Sequence, residues 1–132
     1  MAKTLHCCVI TPEQQLFDAE ATSVVLPAHD GLIGILHDRA PLLCELGTGV
    51  LRLESEKEGT RQFYVDGGFA QVLHNEVTIL TERAAAAENV TRSDANKALE
   101  QAEKMPIKDE KSAAARSRAI ARAKAQLQIA TK

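Results

Sequence analysis

Two His-Asp pairs, His29-Asp30 and His37-Asp38, bracket an apolar run between glycines in the stretch from His29 to Arg39. Imidazole beside carboxylate is raw material for metal binding and for general acid-base catalysis. A metal site needs several ligands converging in space, and a catalytic pair needs a nucleophile or water placed by further groups. Here the histidines stand about eight residues apart, roughly 26 Å on an extended strand, so only a bend could bring them together. The plainer reading is a pair of turns flanking a buried strand, because Asp30-Gly31 is a turn pair and Asp38-Arg39 runs into Ala40-Pro41. A small metal-dependent enzyme using His29, Asp30, His37 and Asp38 is the alternative.

Other reactive residues are weaker candidates. His6 lies beside Cys7-Cys8, but adjacent cysteines lack the two-residue spacing that turns both sulfurs towards one metal. On a strand they point to opposite faces, and three cysteines cannot form an even disulfide framework. Reduced, half-buried thiols in a cytosolic compartment are the expectation. Gly67-Gly68 carries no surrounding phosphate-loop pattern and reads as a tight hairpin or bulge.

The elements that position these residues fall into two parts. The 132 residues suit one domain, or a small domain with an appendage. Short strands are expected over 4–10, 22–27, 32–36, 49–54, 62–66, 69–73 and 76–81, separated by turn signals, the pattern of an antiparallel sandwich or barrel. After Glu82 the chain turns rich in Ala, Lys, Arg and Glu. Ala95, Ala98, Leu99, Ala102 and Met105 form one narrow helical stripe, with Thr91 and Asp94 as a capping box and Pro106 as the stop. A second helix runs from about Asp109 or Ser112 to Ile129, with Ala113, Ile120 and Leu127 seven residues apart. The boundary gives a β-sandwich over 1–86 and a helical hairpin over 87–132. Alanine faces bury little apolar area, so the hairpin should be weakly held and able to move.

Charge divides at nearly the same place. Residues 1–90 hold 6 Lys/Arg against 13 Asp/Glu, and residues 91–132 hold 10 against 5. Six basic residues and no acid follow from Lys111 onward, among them Arg116, Arg118, Arg122 and Lys124, which points to a solvated face or an acidic protein partner. The tail has no aromatic platform for stacking bases, so nucleic acid is not the expected partner. No apolar run approaches the roughly 20 residues of a membrane span, and no leader or transit peptide is visible.

Thr11-Pro12, Gly31-x-x-Gly34-Ile35-Leu36, Ala40-Pro41-Leu42, Gly67-Gly68-Phe69 and Val77-Thr78-Ile79-Leu80 together resemble the epsilon subunit of bacterial F-type ATP synthases, over essentially the whole chain. The resemblance implies about ten strands in a β-sandwich followed by two helices, at the foot of the rotor's central stalk. It implies a subunit without catalysis of its own, peripheral on the cytoplasmic face of the bacterial inner membrane, coupling gamma to the c-ring during proton-driven synthesis. Contacts with gamma would fall at Thr11, Arg39, Ala40 and Leu43, and contacts with the c-ring at Gly31 and Leu32. The hairpin would reach the catalytic alpha and beta subunits through Arg116, Arg118, Arg122 and Lys124 and restrain ATP hydrolysis. Where the family turn reads Pro-Gly-His-Ala-Pro, this chain has His37-Asp38-Arg39-Ala40-Pro41, and Leu32 replaces the usual acid. The ATP-binding motif of some members maps to Val90, Thr91, Asp94, Ala95, Arg122 and Gln126. Its acid and first arginine are lost, so no cofactor, and no ATP binding, is expected.

Overall fold

The computed structural model describes residues 4–28, 30–57 and 59–130. Ten strands are followed by two helices: β1 (Leu5–Ile10), β2 (Gln15–Ala21), β3 (Ser23–Ala28), β4 (Gly31–Ile35), β5 (Leu42–Glu45), β6 (Thr48–Ser55), β7 (Gly59–Asp66), β8 (Phe69–Leu73), β9 (Glu76–Leu80), β10 (Arg83–Ala86), α1 (Arg92–Glu103) and α2 (Glu110–Ile129). Sheet one has the order β2-β1-β9-β8-β5, and sheet two the order β10-β7-β6-β3-β4. All neighbours are antiparallel except β1 and β9, which run parallel, His6 opposite Glu76 through Ile10 opposite Leu80.

Alternation builds the core, because successive strand side chains face opposite ways. Leu5, Cys7 and Val9 of β1, with Val77 and Ile79 of β9, meet Leu51 and Leu53 of β6 and Phe63 and Val65 of β7, all buried. Phe17 and Phe63 pack edge to face with centroids 6.0 Å apart.

Three strands escape the sequence reading. β2 carries Phe17 and Ala21 inward but spaces them with alanine and acids, which signal strand poorly. β5 is only 4 residues long. β10, Arg-Ala-Ala-Ala, is made of a strong helix former and is held as a strand by pairing with Phe63 to Asp66 of β7. The Gly67-Gly68 turn is not a hairpin, since β7 belongs to sheet two and β8 to sheet one. It is a crossover in which Gly68, at φ +106°, passes so close to β9 that an added Cβ would lie 2.0 Å from the Leu80 carbonyl oxygen.

The hairpin lies folded against the outer face of sheet two. Tyr64, which points outward between the inward Phe63 and Val65, forms a second small core with Ala87, Val90, Ala125 and Ile129, edged by Val50, Ala85 and Ala130. The buried row of α2 is therefore Ala123, Ala125 and Ile129, whereas Ala113, Ile120 and Leu127 are only half-buried. In α1 only Ala95 and Ala102 of the expected stripe are buried. Thr91 caps α1 by accepting from the Asp94 amide at 3.2 Å, and Asp109 and Ser112 form a reciprocal capping box on α2. The two Ser112 hydrogen bonds hold the Asp109 carboxyl below its ordinary value.

Candidate functional site

The outer face of sheet one is unusually apolar. Register places Glu45, Phe69, Leu80, Ile10 and Gln15 in one row across the strands, and Leu43 and Gln71 head the next. Leu43 is 70% exposed, Phe69 56% and Leu80 51%. A contiguous exposed apolar face rimmed by polar residues marks a contact surface. A groove of about 350 Å³ runs along the middle of that row, lined by Ile10, Thr11, Pro12, Phe69, Leu80 and neighbours.

Of the four residues expected at gamma, Leu43 lies on this face and the other three flank it. Arg39 and Ala40 are exposed and enter β5 at the end where Leu42 pairs with Val72, while Thr11 follows β1 at the other end, three strand spacings or roughly 14 Å across the sheet. Thr11 is 8% exposed, and its hydroxyl is used internally, donating to the Gln14 carbonyl at 3.1 Å and accepting from the Gln14 amide at 3.2 Å. Phe69, Leu80 and Ile10 were not among the residues expected at gamma, although Phe69 and Leu80 stand in motifs that carry the resemblance. The available signal was two-sided apolarity: β8 places Ala70 and Val72 inward and Phe69 and Leu73 outward.

Gly31 and Leu32 stand on the other sheet, where β4 is an edge strand. Leu32 and Leu36 are 73% and 64% exposed and only Ile35 is fully buried, so the expected buried strand is largely open. Of the His-Asp residues, His29 lies outside the described residues and Asp30 is exposed. His37 Nδ1 is 3.1 Å from Asp38 Oδ2 without hydrogen-bond alignment. Among the described residues no three His, Cys, Asp or Glu side chains converge as metal ligands. Cys7 faces the core and Cys8 the opposite side; burial pushes the Cys7 thiol up to about 12.

In the hairpin, Arg118 and Lys124 are exposed, and Arg116 donates to the Glu103 carbonyl of α1 at 3.3 Å. Arg122 turns inward to Asp66, Nε to Oδ2 at 3.6 Å, and Asp66 also accepts from the Thr48 hydroxyl at 2.7 Å. The sandwich thus supplies an acid for the basic helix. Beside it, burial and then Asp66 push the Tyr64 phenol above its ordinary range, opposed chiefly by the charges of Arg122 and Arg83. Val90 and Ala95 are buried in packing, and the Thr91 hydroxyl is taken up as a helix cap.

Residues 4–87 match the family model described as ATP synthase, Delta/Epsilon chain, beta-sandwich domain. The chain belongs to the ATP synthase delta/epsilon family. A similar ATP synthase epsilon chain, from Rhodopirellula baltica, is 40% identical over 124 residues, covering 94% of this chain and 96% of the relative. Epsilon chains from Synechococcus sp. and Nostoc sp. are 42% and 38% identical, over 77% and 96% of this chain and 74% and 96% of the relatives. These epsilon-chain relatives are subunits of the synthase complex, and so is this chain, rather than a catalytic enzyme in itself. The fold matches a chain in the Euglena gracilis mitochondrial ATP synthase OSCP/F1/c-ring structure, TM-score 0.81 at 23% identity, over 92% of this chain and 78% of that one. It also matches one in the Tetrahymena thermophila mitochondrial ATP synthase central stalk/c-ring structure, TM-score 0.71 at 14% identity, over 96% of both chains. None of the described helices is long and apolar enough to cross a membrane.

Proposed function

We propose that this epsilon-family chain docks on the gamma subunit through the outer face of sheet one and meets the c-ring through the β3–β4 end, coupling the two at the cytoplasmic face of the bacterial membrane. The observation that carries this reading is the row of exposed Phe69 and Leu80 and half-buried Ile10, with exposed Leu43, lying between Thr11 at one end and Arg39 and Ala40 at the other. Burying such a face gives about 25 cal/mol per Å² of apolar surface, from which the costs of association are subtracted. Gly31 and the exposed Leu32 present an apolar contact to the c-ring in place of an acidic one. Co-purification tests this: the full chain should associate with gamma, and Phe69→Glu should abolish association without unfolding the sandwich. Wild-type chain that fails to associate would remove the reading.

The hairpin serves as a detachable restraint on ATP hydrolysis. Arg116, Arg118, Arg122 and Lys124 make α2 strongly basic with no acid among them, suited to the acidic surface of the catalytic alpha and beta subunits. Reaching that surface requires the Arg122 and Asp66 contact and the Tyr64 cluster to part. Nucleotide is not its trigger: Asp94 would repel phosphate, and Thr91 and Arg122 are already engaged. Truncation after Ala87 should raise ATPase activity of the reconstituted complex, and unchanged activity would remove the inhibitory role while leaving the coupling role intact.

A further inference from the structure

Two turns beside the docking face are left-handed without glycine. Leu36 to Arg39 closes with the Arg39 amide donating to the Leu36 carbonyl at 3.2 Å, and Asp38 in its third position has φ +64°. That position favours glycine or asparagine. His74 and Asn75, at +50° and +62°, form the two-residue loop between the paired Leu73 and Glu76, the geometry of a type I′ hairpin. The two turns hold one another. The Asp38 amide donates to Asn75 Oδ1 at 2.6 Å, and Asn75 Nδ2 donates back to Asp38 Oδ1 at 3.1 Å. The Asn75 carbonyl also accepts from the His6 amide at 2.9 Å, tying the same residue to β1.

Asp38 lies in the crossover from β4 of sheet two to β5 of sheet one, immediately before Arg39 and Ala40. We propose that Asp38 and Asn75 are positioning residues: their reciprocal clasp holds this exposed crossover in the one path that presents Arg39 and Ala40 beside the apolar face. The inference rests on the docking reading above. The resembled family has glycine where Asp38 stands, and glycine takes left-handed geometry without help. Here the clasp supplies what the glycine would, and a loop already set in its bound path loses less freedom on association.

The test uses the full chain and the gamma subunit. Asn75→Gly keeps the hairpin turn, since glycine suits φ +62°, and deletes both hydrogen bonds. It should raise the Kd about tenfold, mainly through faster dissociation, with the melting temperature little changed. The double exchange D38N with N75D keeps one acceptor and one amide donor across the gap and should restore affinity to within about twofold of wild type. In the free chain, Asn75→Gly should speed hydrogen exchange at the Asp38 amide about tenfold. Unchanged Kd in Asn75→Gly, or no rescue by the exchange, overturns the positioning role. Unchanged exchange at Asp38 overturns the clasp itself. Absence of association by the wild type overturns the docking reading instead, and the exchange measurement still decides the clasp.

Discussion

Gly68 shows how narrowly one residue can be specified. Its φ of +106° is a conformation L side chains rarely adopt, and an added Cβ would meet the Leu80 carbonyl oxygen at 2.0 Å and Thr81 Cα at 2.7 Å. Both atoms are backbone, so nothing yields cheaply. Gly68→Ala should therefore cost about 3 kcal/mol or more, measured as a fall in the urea midpoint of unfolding. A loss below about 1 kcal/mol would show that the crossover can move aside. Gly67, at φ +76°, has only the flexible end of Glu82 near its missing Cβ, so its demand is conformational alone. The glycine pair was legible as a turn, but its place between the two sheets was not, because pairing partners 10 or more residues away decide it.

Among elements, the hairpin is where magnitudes decide. Arg122 and Asp66 remain 30% and 20% exposed, so water screens their pairing, which is worth at most about 1 kcal/mol. Ile129, 2% exposed, is the largest aliphatic anchor of α2 on sheet two, and truncating such a residue costs about 2 kcal/mol or more. Ile129→Ala should thus speed exchange of α2 amides about thirtyfold, against fivefold or less, roughly, for Asp66→Asn. The reverse ranking would make the hairpin an electrostatic attachment. Both helices were legible from the stripe, the caps and Pro106. Their buried faces were not, since alanines scattered round α2 leave the periodicity ambiguous and Tyr64 selects the row that packs. β10 was missed because its alanines carry no strand signal, and β7 imposes one. The candidate docking residues were reached through resemblance, whereas the apolar row between them depends on register across three strands.

At the scale of the whole molecule, one chromophore reports on the join between its halves. The chain has 1 tyrosine and no tryptophan, and that tyrosine, Tyr64, is covered by α2. Burial raises its pKa above the ordinary 10.0, so the neutral phenol is favoured in the folded state. The stability this contributes is present below pH 10 and is lost as pH rises through the folded value. Phenolate absorbance should thus develop late in the full chain, and earlier, towards pH 10, after truncation following Ala87. Identical titrations would mean that the hairpin does not shield the ring. The parallel pairing of β1 with β9 has a different consequence, for biogenesis. The first strand sits in the interior of sheet one and cannot complete its ladder until residue 80 has been synthesised, so a nascent chain holds Leu5, Cys7 and Val9 partly uncovered through most of its translation. The helices, made last, then close over a sandwich that is already finished. A chain ending before β9 would carry an open edge, and one ending after β10 has every strand of the sandwich.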